Sequence, residues 1–204
     1  MKIAIVDYGM GNLFSVYKKI KQLKADPFIA ITPSEIISAD KIVIPGVGHF
    51  GKVMTNLKLS GVYDALNEVA FIKNIPILGI CLGMQLMAEK SEEGNATGFG
   101  WIKGNVVKFR IDHSDRFKIP QTGWNTINIK KESRLLKGLK KHEEFYFLHS
   151  YHIEVADSSD ILATTDFSYE YVSAVERENF FGAQFHPEKS HGAGAQILKN
   201  FIEL

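Results

Sequence analysis

The segment Ile77-Leu78-Gly79-Ile80-Cys81-Leu82-Gly83-Met84-Gln85-Leu86 reads as a short buried strand running through a turn into a helix. At the junction stands Gly-x-Cys-x-Gly, the thiol version of a nucleophile elbow. Such a turn strains the backbone of its central residue and lifts that side chain off the sheet. Flanking glycines leave room for strand, helix and ligand to approach one another. Amides and dipole at a helix N-terminus would favour a thiolate there. A free cysteine alone is more often a small buried hydrophobe, so Cys81 needs a base before chemistry can be argued.

Outward from this segment, strands and helices alternate. Lys2 to Asp7 is a β-branched run ending in the turn cluster Tyr8-Gly9-Met10-Gly11-Asn12. Apolar positions 13, 16, 20 and 23 follow a helical period, Pro27 to Ile31 reads as a strand, and Lys41 to Ile44 is a strand stopped by Pro45-Gly46-Val47-Gly48. Val53 to Leu57 and Val62 to Ile72 read as helical, and the helix after Cys81 is expected to run to about Lys90. This alternation predicts an α/β fold with a mostly parallel central sheet covered on both faces. Downstream, Trp101 to Phe109, Thr126 to Lys130, Phe145 to Val155 and Tyr171 to Phe185 are strand-like, with only short helical patterns between them. Antiparallel additions in the C-terminal half are therefore expected, closed by an amphipathic helix from Ala193 to Leu204. No repeat, low-complexity tract or linker interrupts the 204 residues, so one domain spanning 1–204 is expected.

A base stands in Phe180-Phe181-Gly182-Ala183-Gln184-Phe185-His186-Pro187-Glu188-Lys189-Ser190. Pro187 cannot donate to a sheet ladder, which puts His-Pro-Glu at a strand end. On an extended backbone, positions 186 and 188 point to one side. One imidazole nitrogen of His186 could take the thiol proton while Glu188 holds the other N–H.

Bulk properties narrow the classes. Apolar residues are 45% of the chain, enough for one sizeable core, and the net charge is +1 with acids and bases interspersed, which argues against a nucleic-acid partner. One cysteine excludes an intramolecular disulfide and a cysteine-rich metal site, so no metal is expected, and it suits a reducing compartment. The N-terminal apolar run is too short for a signal peptide, and Ile75 to Ala88 is too short to cross a bilayer, which takes roughly 20 residues. A cytoplasmic protein with no membrane partner is expected.

Taken together, Gly79-Ile80-Cys81-Leu82-Gly83-Met84-Gln85 and Gln184-Phe185-His186-Pro187-Glu188 resemble the class I glutamine amidotransferases. Within that family the chain is most similar to the glutaminase branch of the imidazole glycerol phosphate synthases of histidine biosynthesis. The narrowing motifs are Asp7-Tyr8-Gly9-Met10-Gly11-Asn12-Leu13, Pro45-Gly46-Val47-Gly48-His49-Phe50-Gly51, Gly123-Trp124-Asn125, Phe147-Leu148-His149-Ser150-Tyr151 and His186-Pro187-Glu188-Lys189-Ser190. The resemblance implies that Cys81 attacks the side-chain amide of glutamine, that His186 is base and then acid, and that Glu188 orients His186. It implies an oxyanion hole from backbone amides near Val47, Gly48 and Leu82, and glutamine held by Gln85, Ser150 and Tyr151. It implies no cofactor. It also implies a heterodimer in which ammonia passes to a β/α-barrel cyclase subunit, with Asn12, Trp124, Tyr146 and Lys189 toward that partner.

Gly9-x-Gly11 after a strand is not a dinucleotide fingerprint, because position 14 is Phe. Two departures stand out. The family pattern Pro-His-Met-Gly-Trp-Asn is here Pro120-Gln121-Thr122-Gly123-Trp124-Asn125, and Trp101-Ile102-Lys103-Gly104 lacks the usual proline. Neither touches the hydrolytic residues, but both bear on the partner. A paralogue feeding ammonia to a surface-sugar amidotransferase is the second reading. A γ-glutamyl or peptide hydrolase without ammonia transfer is a third, and a catalytically silent subunit a fourth. The last would require a loss among Cys81, His186 and Glu188, and all three are present.

Overall fold

The computed structural model describes residues 1–10, 12–111 and 117–204; Gly11 of the first turn motif lies outside them. In chain order the first half holds β1 (Lys2–Val6), α1 (Leu13–Gln22), β2 (Asp26–Ala30), α2 (Pro33–Ile37), β3 (Lys41–Gly46), α3 (Phe50–Leu59), α4 (Val62–Phe71), β4 (Ile77–Cys81) and α5 (Leu82–Gln85). Then come β5 (Lys90–Ser91), β6 (Ala96–Thr97), β7 (Gly104–Lys108), β8 (Gln121–Thr126), β9 (Asn128–Ile129), β10 (Glu144–His149) and β11 (Tyr151–Val155). The chain ends with β12 (Ile161–Phe167), β13 (Tyr169–Arg177), β14 (Phe180–Ala183) and α6 (His191–Glu203).

The main sheet begins β2-β1-β3-β4-β14, all parallel. Its strands are apolar on both faces because helices cover both. On β1, Ala4 and Val6 point into a core with Ile36, Val53, Leu57, Leu66 and Val69 from α2, α3 and α4. Ile3 and Ile5 point the other way, onto Val16 and Ile20 of α1 and Ile197, Leu198 and Phe201 of α6. Beyond β14 the sheet turns antiparallel through β13, β11 and β7, and β12 pairs with β13. The expected α/β class, mostly parallel with antiparallel additions, is the architecture found. No helix among the described residues is long and apolar enough to cross a membrane.

Four details differ from the sequence reading. The helix expected to reach Lys90 is a single turn, Leu82–Gln85. The carbonyls of Leu86, Met87 and Ala88 are taken instead by the amides of Phe99, Ile102 and Gly100, at 2.8, 2.9 and 3.0 Å, so the helical ladder cannot continue. The strand-like run Phe145 to Val155 splits at Ser150: β10 pairs with β8 in a separate two-stranded ribbon, and β11 enters the main sheet. α2 was unanticipated, although Thr32-Pro33-Ser34-Glu35 carries its signal, a capping box with proline in the first turn. β12 was also unanticipated. It is flanked by β13 and β9, and Leu162 to Thr165 are all buried, so it lacks the alternation that marks a half-exposed strand.

Candidate active site

Cys81 ends β4 with φ +53° and ψ −110°, a conformation that costs a non-glycine residue on the order of 1–3 kcal/mol. Neighbouring backbones hold it there. A Cβ on Gly83 would lie 1.8 Å from the Ile44 carbonyl oxygen, and one on Gly79 would lie 2.5 Å from the Gly83 carbonyl oxygen. The elbow is therefore clamped directly against β3, as the glycine pattern suggested. The following helix is only four residues long. One turn carries little macrodipole, so the expected help to the thiolate must come from elsewhere. Besides His186, the sulfur meets the Leu148 carbonyl, to which the thiol donates at 3.7 Å, and Gln184 Nε2, which donates to Sγ at 3.5 Å.

His186 follows β14, the parallel neighbour of β4. Its Nδ1 pairs with Glu188 Oε1 at 2.9 Å, and both side chains are nearly inaccessible, 3% and 2%. The pair does not form as the extended-backbone argument supposed. Pro187–Lys189 is a turn of 3-10 helix, and that turn, not strand alternation, brings Glu188 back onto the ring. The His186 amide donates to the Tyr146 carbonyl at 2.8 Å, and Ser190 Oγ donates to the His186 carbonyl at 2.6 Å. Burial pulls the imidazole pKa down, but the Cys81 thiol and the Glu188 carboxylate outweigh it and raise it to about 9. Nε2 makes no hydrogen bond of normal geometry, although the thiol is close enough to act on it. That nitrogen is the one that takes the thiol proton, and the raised pKa reflects the thiolate–imidazolium pair formed when it does.

The elbow opens into a cleft of about 300 Å³. Val47, Gly48 and Leu82, expected to form an oxyanion hole, line it, and so do Gln85, Ser150 and Tyr151, expected to hold substrate. Gly48 has φ +132°, and a Cβ there would lie 2.2 Å from Met10 Cε. The hydroxyl of buried Tyr8 hydrogen-bonds the Pro45 carbonyl just ahead of this loop. Burial, then Cys81, pushes Tyr8 well above the ordinary phenol range, so it remains a donor.

Two residues given no role in the sequence reading belong to the site. Glu93 brings a carboxylate to the cleft and accepts from the Phe50 amide at 2.8 Å. In sequence it sits in the charged turn Ser91-Glu92-Glu93-Gly94, which resembles any solvated loop. Gln184, fully buried, touches the sulfur. The cleft thus holds a thiol with a buried imidazole–carboxylate pair behind it, the loop at Val47 and Gly48, and a carboxylate suited to an ammonium group. A family model described as "Glutamine amidotransferase class-I" matches residues 4–204. The chain belongs to the class I glutamine amidotransferases.

Like other members of that family, it is a glutamine-hydrolysing enzyme. Among curated relatives, imidazole glycerol phosphate synthase subunit HisH of Leptospira borgpetersenii is 48% identical over 203 residues, covering 99% of this chain and 100% of that one. Subunit HisH 2 of Methanococcus maripaludis is 44% identical over 201 residues, covering 98% of each. The solved structure of PurLQS from Thermotoga maritima matches with TM-score 0.75 at 16% identity, covering 99% of this chain and 97% of that one, a likeness of fold.

In this amidotransferase three of the four residues expected to face a partner, Trp124, Tyr146 and Lys189, gather beside His186. Trp124 is 44% exposed and meets Tyr146 edge-on with ring centroids 5.9 Å apart, while Lys189 Nζ lies 5.3 Å from the Tyr146 ring centroid. Asn12 is exposed and caps α1 by accepting from the Ser15 amide at 3.4 Å. The departure at 121–122 divides between the two faces of β8. Thr122 is exposed on the Trp124 side. Gln121 is buried, and its Oε1 accepts from the Tyr171 hydroxyl at 2.7 Å. Only Thr122 of the two can bear directly on a partner.

Proposed function

We propose that this chain is the glutaminase subunit of an imidazole glycerol phosphate synthase, hydrolysing glutamine to glutamate and ammonia and passing the ammonia to a cyclase subunit in histidine biosynthesis. The observation that carries the reading is end-to-end identity of 44–48% with HisH subunits, with Cys81, His186 and Glu188 all in place. In the proposed reaction His186 Nε2 takes the proton of Cys81, and Sγ bonds to the side-chain amide carbon of glutamine. Charge develops on the carbonyl oxygen, which the amides near Val47, Gly48 and Leu82 stabilise. As the C–N bond breaks, His186 returns the proton to the nitrogen and ammonia leaves. Water, deprotonated by His186, then cleaves the thioester to glutamate and restores the thiol. Glu188 keeps the ring in one tautomer throughout.

Substrate holding follows from the inventory of donors. Both amide hydrogens of Gln85 are spent, on the Tyr151 carbonyl at 2.8 Å and on Gln184 Oε1 at 2.9 Å. Its Oε1 is left to accept from the substrate. Glu93 suits the α-ammonium, and Ser150 and Tyr151 line the same cleft. The partner is proposed to be a β/α barrel docked over Asn12, Trp124, Tyr146 and Lys189, which shelters the ammonia from protonation and loss in water, and the pair would work in the cytoplasm.

The test is reconstitution with the cognate cyclase. Glutamine-dependent formation of imidazole glycerol phosphate supports the reading, as does glutaminase turnover that is slow alone and accelerated by partner plus acceptor. A second reading, ammonia supply to a surface-sugar amidotransferase, draws on one observation. Thr122 stands exposed beside Trp124 where the family pattern has Met. Glutaminase activity rescued by such an enzyme and not by the cyclase would establish it.

A further inference from the structure

Besides the His186 imidazole, the Cys81 sulfur touches two groups with opposite preferences. The Leu148 carbonyl can only accept, so at 3.7 Å it suits the protonated thiol. Gln184 Nε2 can only donate, so at 3.5 Å it suits the thiolate. Whether Gln184 presents nitrogen or oxygen to the sulfur is therefore decisive, and the surrounding bonds determine it. The Tyr151 carbonyl accepts from Gln85 at 2.8 Å, which requires Gln85 to put its nitrogen there. The second hydrogen of that nitrogen meets Gln184 at 2.9 Å, which requires an oxygen on the Gln184 side. With its oxygen engaged, Gln184 must turn its NH₂ toward Sγ. The Tyr151 carbonyl is itself steadied by His149 Nδ1, which donates to it at 2.8 Å. Gln184 is fully buried, and its backbone amide donates to the Ser173 carbonyl at 2.9 Å, so water does not compete for the amide and its base cannot shift.

Resting on the assignment of Cys81 as nucleophile, we propose that Gln184, alongside His186, stabilises the reactive sulfur in its thiolate form, by donating its side-chain amide to Sγ from an orientation locked by Gln85 and the Tyr151 carbonyl. The one-turn helix after Cys81 supplies little dipole, so this donor takes the part that a longer helix would otherwise play. A merely structural role for Gln184, as a spacer that supports Gln85, would alter glutamine binding and leave the thiol's own reactivity alone.

The two roles separate when Cys81 reactivity is measured without glutamine. The full chain is alkylated with iodoacetamide across a range of pH, with loss of glutaminase activity followed in parallel. In Gln184→Met the alkylation rate at pH 7 should fall about tenfold, and the pH profile should move about one unit to the alkaline side. Gln184→Glu keeps the size and the acceptor for Gln85 but replaces the donor with a carboxylate, and should move the profile the same way. If Gln184→Met fails to fold, Gln184→Glu decides the matter. Profiles that overlay wild type in the folded variants would overturn the proposal while leaving Cys81 as nucleophile. Wild-type glutaminase activity that survives complete alkylation of Cys81 would overturn the nucleophile assignment itself.

Discussion

Cys81 leaves the end of β4 and His186 follows the end of β14, the next strand in the sheet, yet they are placed by different means. Cys81 is placed by backbone: a strained φ of +53°, clamped because Gly79 and Gly83 admit neighbouring main chain where side chains would collide. His186 is placed by hydrogen bonds to the ribbon β8–β10, directly from its amide to the Tyr146 carbonyl and indirectly through Ser190 Oγ, which donates to the His186 carbonyl and accepts from the Tyr146 amide. The nucleophile is thus built into the rigid parallel half, where side-chain changes elsewhere have little purchase. The base hangs on a two-stranded ribbon whose outer face carries Trp124, Tyr146 and Thr122. A partner seated on that face would act on the base sooner than on the thiol.

The sharpest break comes from Cys81→Ser. Glutamine-dependent turnover should fall by about 10⁴-fold or more, while the melting temperature holds and the assembled complex still uses added ammonia. A serine variant with normal turnover would end the nucleophile assignment. His186→Asn should cost about 10²–10⁴-fold in kcat, and Glu188→Gln less, because Glu188 orients the ring and moves no proton. Equal losses in steady-state assays of the two would contradict that division.

Smaller effects sharpen the contrast between clamp and ribbon. Gly83→Ala puts a methyl against the Ile44 carbonyl and should cost about 3 kcal/mol or more of stability in urea titration, overpacking that backbone cannot relieve. Ser190→Ala removes the bond to the His186 carbonyl and the acceptor for the Tyr146 amide. It should cost about 1–3 kcal/mol and lower kcat through a loosened base. A Ser190→Ala enzyme with wild-type kcat would mean the ribbon does not position His186.

The mildest effect is in pH. His186, raised from 6.5 to about 9, contributes stability that is full below pH 6.5 and lost as pH rises through 9. His149, lowered to about 3 by burial, contributes stability present above pH 6.5 and lost as pH falls toward 3, because the unfolded chain binds a proton that the folded one refuses. Melting temperatures across this range should show His149→Gln flattening the acid limb and His186→Asn the alkaline limb. Unchanged limbs would show that other groups govern the pH dependence.

The parallel core, the elbow and the His-Pro-Glu pair were legible because each is written in a few adjacent residues: apolar runs, glycines at fixed offsets, a proline that ends a ladder. Such signals act over a handful of bonds, and the chain cannot satisfy them in many ways. Gln184 and Glu93 were not legible as functional. Gln184 opens the Gln-Phe-His-Pro-Glu run and Glu93 sits in a charged turn, and nothing local says which polar side chain will meet the sulfur or the cleft. The same holds for the split of Phe145 to Val155 between two sheets, and for the opposite fates of Gln121 and Thr122. Each depends on which distant strand supplies the partner: β8 for Leu148, β7 for Tyr151, and Tyr171 of β13 for Gln121. Local backbone preference is a property of neighbours in the chain, whereas donor–acceptor matching in a buried site exists only after strands far apart in sequence have taken their register.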